Sequence, residues 1–132
     1  MTWQALLLTA LIAGMITMPM SAVLRARRSR GRPAPDTTSV DGGPRPEGRR
    51  VYYFHAPHCG HCRAMTPLVA RLVEAGRNLV SVDVAQHLAL AKQFGVAATP
   101  SCVLVEGGII RQVWLGALSE RQLLQMLEGS PE

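Results

Sequence analysis

Two thiols and three imidazoles fall within the eight residues His55-Ala56-Pro57-His58-Cys59-Gly60-His61-Cys62. Cysteines three apart can pair as a disulfide across one helical turn, provided that a helix begins there. In that case Cys59 sits near the helix N-terminus, where unpaired N–H groups and the positive end of the dipole stabilise a thiolate. Cys62 lies a turn further in and is more shielded. The asymmetry makes Cys59 the attacking nucleophile and Cys62 the resolving thiol. His61, placed between them, would stabilise the Cys59 thiolate by its charge, and His58 and His55 are weaker candidates for the same tuning. The cluster also has an alternative chemistry. His55, His58, Cys59, His61 and Cys62 are five N and S donors of a kind that zinc or copper(I) accepts, which would make this a metal-binding module. Against it, Cys59 and His61 diverge at a helix start, and no second ligand cluster closes a tetrahedral site. The exchange reading needs no metal and no organic cofactor. Cys102, on a β-prone run, reads as a buried apolar thiol. Three cysteines are too few for a multi-bridge scaffold.

Positioning this cluster requires a strand before it and a helix after it, and the pattern supplies both. Residues 51–54 (VYYF) form a short β-prone run. Beyond Cys59, Met65, Leu68, Val69, Leu72 and Val73 recur at helical spacing and stop before Gly76. Residues 79–84 read as a second strand and residues 87–94 as a short helix ended by Gly95. Residues 101–106 and 109–114 flank Gly107-Gly108, a two-residue hairpin signal. Ser119 caps a last helix carrying Leu123, Leu124, Met126 and Leu127. The predicted order is β-α-β-α-β-β-α, an α/β domain, with Met65 and Trp114 as core candidates.

With these elements in place, residues 50–128 resemble the thioredoxin fold family. The resemblance is carried by Phe54 to Cys62 (FHAPHCGHC), Pro67, Phe94-Gly95-Val96, Ala98-Thr99-Pro100 and Gly116-Ala117-Leu118-Ser119. It implies a mixed four-stranded sheet with helices on both faces, without the family's leading strand and helix. It also implies thiol–disulfide exchange with protein clients through a Cys59–Cys62 disulfide, and an electron donor or acceptor. Thr99 and Pro100 would hold the client backbone, with Pro100 well placed for a cis peptide. The Cys59-Gly60-His61-Cys62 tetrad is similar to that of protein disulfide isomerases, so Gly60, His61 and His58 are the expected redox-tuning positions. Two departures stand out. Tyr53 occupies the place of the family's buried Asp and Ser81 that of its partner Lys, so proton transfer from Cys62 must use water or another group.

The rest of the chain is of a different character. Residues 1–24 carry no charged side chain, and a helix of that length covers about 36 Å, enough for a hydrocarbon core of about 30 Å. They read as an uncleaved transmembrane anchor, because no basic region precedes the apolar run as it does in a secretory signal. Residues 25–49 read as a basic Pro/Gly-rich linker, and residues 50–132 as the thioredoxin-like domain. Between residues 25 and 50 lie eight arginines against three acids, a net +5 that accounts for the whole formal charge; beyond them the charges cancel. The domain therefore lacks the clustered cations of a nucleic-acid-binding face. Arg25, Arg27, Arg28, Arg30 and Arg32 follow the apolar run directly, and the positive-inside rule puts the domain in the cytoplasm. The oxidising bias expected of the tetrad favours the alternative, a periplasmic or other extracytoplasmic face.

Overall fold

The computed structural model describes residues 2–41 and 49–129. The end of the expected linker, residues 42–48, and the last three residues lie outside the described residues. The elements are α1 (Trp3–Ser29), α2 (Thr38–Asp41), β1 (Arg49–His55), α3 (Gly60–Glu74), β2 (Leu79–Asp83), α4 (Leu88–Phe94), β3 (Ser101–Glu106), β4 (Ile109–Leu115) and α5 (Glu120–Glu128). From β1 onward this is the predicted order.

The sheet has the strand order β2-β1-β3-β4. β1 runs parallel to β2 and antiparallel to β3, with Tyr53 opposite both Ser81 and Cys102. Val51, Tyr52, Tyr53 and Phe54 are all buried, because alternate side chains of β1 enter two separate cores. Val51 and Tyr53 pack with Met65, Val69 and Leu72 of α3 and with Leu123 and Met126 of α5. Tyr52 and Phe54 pack with Leu90, Ala91 and Phe94 of α4 on the opposite face. Burying each such aliphatic or aromatic side chain contributes about 1.5–3 kcal/mol. Gly107 and Gly108 both have positive φ, 60° and 77°, as the tight turn between β3 and β4 requires. Ser119 caps α5 in a reciprocal capping box with Gln122.

Two expectations change. Trp114 is 36% exposed instead of buried, because β4 is an edge strand and its side chain lines an open groove with Arg49 and Met126.

Residues 25–41, expected to be unstructured, are built onto the domain. α1 continues past the apolar run to Ser29, and Ala26 and Ser29 are buried. The chain then follows the start of β4: Gly31 N–H donates to Ile110 O (2.7 Å), Ile110 N–H to Arg32 O (2.9 Å) and Ala34 N–H to Gly108 O (2.8 Å). Pro33, which has no N–H to lose, pairs with Ile109. The free edge of the sheet is thereby covered at that end. Ala34 and Val40 add to the α4-side core.

A polar cluster fixes the segment's far end. Thr37, 1% exposed, donates to Asp41 (2.7 Å), as do the Tyr52 hydroxyl (3.0 Å) and Arg50 (2.9 Å). Burial by itself would raise the Asp41 pKa, but the hydrogen bonds from Thr37, Tyr52 and Arg50, with the Arg50 charge, hold it below the ordinary 3.8. A carboxylate whose pKa is depressed on folding stabilises fully above its unfolded value, and that contribution is lost as pH falls through the folded one. Asp41→Ala is expected to cost about 1–3 kcal/mol at neutral pH in chemical denaturation. The deficit should shrink in acid below the ordinary carboxylate range. An equal deficit at both pH values would show that the Asp41 charge is not what stabilises the cluster.

Candidate active site

β1 ends at His55, and the chain turns through Ala56-Pro57-His58, where the Cys59 N–H donates to Ala56 O at 3.3 Å. Cys59 is the N-cap of α3, and its Sγ accepts the Cys62 N–H at 3.2 Å. A sulfur in this place takes up one of the unpaired donors of the first turn, the role usually filled by an oxygen. Cys59 and Cys62 are joined as a disulfide with Cα atoms 5.2 Å apart. Cys59 is half-buried and Cys62 only 2% exposed, so the first sulfur is the accessible one.

The other expected site residues fall around this pair. Gly60 is exposed, with open space where a side chain would project. His58 on the turn and His61 in the first turn of α3 are also exposed, and His55 stacks on Tyr53 with ring centroids 5.3 Å apart. The Thr99–Pro100 peptide is cis, with Pro100 buried and Thr99 half-buried. Pro100 immediately precedes β3, whose first residue, Ser101, pairs with Phe54 near the end of β1. The antiparallel pairing thus brings Pro100 to the end of the sheet from which the cysteine turn departs. Beside Thr99 lies a cleft of about 340 Å³ lined by Val84, Leu88, Val96 and Ala98. Among the described residues no group of three or more His, Cys, Asp or Glu side chains could hold a metal ion, and the two cysteines are bonded to each other.

Tyr53 has a part that its sequence position alone did not reveal. Its hydroxyl lies 3.2 Å from Cys62 O and 3.3 Å from Thr66 Oγ1, and the Thr66 hydroxyl donates to the same carbonyl at 2.8 Å. Burial raises the Tyr53 pKa above its ordinary 10. Tyr53 therefore keeps its proton at neutral pH and braces the backbone of Cys62 without serving as a base. Ser81, opposite it on the edge strand β2, is exposed and supplies no charge. Cys102 is fully buried on β3, and burial pushes its thiol up to about 12.

A helix-capping cysteine bonded to a second one turn later, at the end of the sheet where β1 gives way to α3, defines a dithiol–disulfide site of the thioredoxin type. Residues 45–129 match the thioredoxin family, and the chain belongs to it. Thioredoxin 1 of Nostoc is 32% identical over 78 residues, covering 57% of this chain and 73% of that protein. The chloroplastic thioredoxin Y2 of Arabidopsis thaliana is 29% identical over 80 residues, covering 58% of this chain and 48% of its own length. This chain thus spans about half of the chloroplastic relative. Among solved structures, a variant thioredoxin from Halobacterium salinarum superposes with a TM-score of 0.56 at 28% identity, over 65% of this chain and 77% of the other. The chain is a thioredoxin-like oxidoreductase with a close cysteine pair.

The environments of the three thiols predict an order of reaction. After mild reduction at neutral pH, a limiting alkylating reagent is expected to modify Cys59 first and to leave Cys102 untouched until the chain is unfolded. Peptide mapping that finds Cys62 or Cys102 modified ahead of Cys59 would reverse this assignment.

Proposed function

We propose that this protein is a membrane-tethered thiol–disulfide oxidoreductase that exchanges disulfides with protein clients through Cys59 and Cys62. The observation that carries the reading is the place of Cys59 as N-cap of α3, with the Cys62 N–H directed at its sulfur. In the reduced protein the same N–H and the helix dipole favour a Cys59 thiolate. That thiolate attacks one sulfur of a client disulfide, forming a Cys59–client bond as the client bond breaks and a client thiolate leaves. Cys62 then gives up its proton to water, because Tyr53 is no base, and attacks Cys59. The second client thiolate departs, two electrons have passed to the client, and the Cys59–Cys62 disulfide has formed. Oxidation of a client dithiol is the reverse path. A separate thiol donor or acceptor resets the pair, and no organic cofactor enters. Thr99, at the edge of a cleft that joins apolar residues to Arg25 and Lys92, would carry the client backbone together with Pro100.

α1 is long and apolar enough to cross a membrane, and most of its apolar residues from Trp3 to Leu24 are exposed. This supports residues 1–24 as an anchor, with the basic segment that follows docked through residues 25–41 onto the catalytic domain. The five arginines after the apolar run favour a cytoplasmic domain, since moving them across the bilayer is costly.

Cys59→Ser is expected to abolish reduction of an insulin disulfide, whereas Cys62→Ser should accumulate mixed disulfides that gels resolve without reductant. Trapping by Cys59→Ser instead would exchange the two roles. For His61, removal of a stabilising charge predicts that His61→Pro lowers the reduction potential against glutathione. A shift of 30 mV corresponds to about 1.4 kcal/mol for this couple, and an unchanged potential would make the histidine a bystander. For sidedness, a membrane-impermeant thiol reagent applied to intact reduced cells of a Cys102→Ser variant is expected to spare Cys59. Rapid labelling from outside would place the domain on the extracytoplasmic face.

A further inference from the structure

We propose that the junction of α1 and α4 is a binding site for the phosphate headgroup of an anionic phospholipid. Between the two helix ends lies a cavity of about 490 Å³ bordered by Arg25, Arg28 and Arg32 from one side and Lys92 from the other. The cations come from segments far apart in sequence, so composition does not explain their convergence. Packing does. Ser29 is buried against Gly95, where an added Cβ would run into the Ser29 hydroxyl, and this close approach brings the arginine face of α1 to Lys92. The lining residues include no carboxylate, and the ion pairs found among the described residues engage other arginines. The C-termini of α1 and α4 together supply about one negative charge, which leaves a field near +3 for an anion to relieve.

The depth of the site selects a lipid over a free anion, a step that rests on the proposed anchor. Arg28 lies four residues beyond Leu24, the last of the apolar run, so it stands about 6 Å past the hydrocarbon boundary. The headgroup layer on each side of a bilayer is about 5–7 Å thick. A phosphate at that height is level with the cavity. Arg27 and Arg30 do not border it: Arg27 lies beside Met20 and Leu24, and Arg30 Nε donates to Arg111 O at 3.4 Å.

The test uses the full chain in a neutral detergent, titrated with dihexanoylphosphatidylglycerol while thermal unfolding is followed. The melting temperature is expected to rise with this lipid and not with dihexanoylphosphatidylcholine. Lys92→Gln should weaken the apparent affinity about fivefold, equivalent to about 1 kcal/mol for one basic residue, while Arg27→Gln leaves it unchanged. Equal weakening by both substitutions would reveal a diffuse charge effect and overturn the site, as would an equal response to phosphatidylcholine. Inorganic phosphate acting as well as phosphatidylglycerol at the same concentration would overturn the lipid assignment in favour of a free-anion site. Alkaline carbonate extraction of cell membranes tests the anchor separately. Release of the chain would refute the tether while leaving the titration readable.

Discussion

The arrangement depends on the burial of β1 on both faces. Val51, Tyr52, Tyr53 and Phe54 alternate between the α3/α5 core and the α4 core, so slipping the strand by one residue would exchange the occupants of both cores. Its register against β2 and β3 is therefore strongly specified, and so is the point at which the chain leaves the sheet. Four residues past His55, Cys59 has no freedom to be anywhere but at the start of α3. The helix is held in turn by Met65, Val69 and Leu72, and the Met65 sulfur accepts the Leu118 N–H at 3.3 Å. The accessibility of one sulfur and the shielding of the other follow from packing, with no dedicated device at the cysteines.

The same strand sets the electrostatics beneath the dithiol. A carboxylate at position 53 would be a buried acid with a raised pKa, able to accept a proton near neutrality. A tyrosine fills that volume, hydrogen-bonds Cys62 O and stays neutral over the whole physiological range. The two histidines nearest the cysteines in sequence, His58 and His61, stand on the exposed side. With no buried charge at position 53, the helix terminus at Cys59 is what remains beneath the dithiol to favour a thiolate on the proposed reading.

Much of this was legible because it is local. The CxxC at a strand–helix boundary, the Gly107-Gly108 turn, Gly95 after α4 and the Ser119 cap each write their structure within a few residues. The two-faced core also shows as a continuous apolar run in β1. Residues 25–41 were not legible, because their order comes from tertiary contacts made by single residues with no periodicity. Ala26, Ser29, Ala34, Thr37 and Val40 each touch a surface created by distant parts of the chain. The clustering of Asp41, Thr37, Tyr52 and Arg50 likewise joins elements that no spacing rule connects. The exposure of Trp114 has a related cause: alternation identifies a strand, but only the sheet order tells that β4 is an edge.

That docked segment bears on how a tether would act. A flexible linker of 25 residues would let a domain range widely from its anchor, with reach growing as the square root of length. Here Pro33 is already paired to Ile109, only nine residues after Leu24. Even fully extended, nine residues span about 30 Å, and most of them are instead helical or hydrogen-bonded to β4. The contact of Ser29 with Gly95 further ties the helix to the α4 side, the same side as the cleft beside Thr99. Given the proposed anchor, the domain gains little freedom to search. Its effective concentration toward a disulfide depends on how near the surface a client presents it. On that proposal, a short, docked connection would select clients by height above the bilayer.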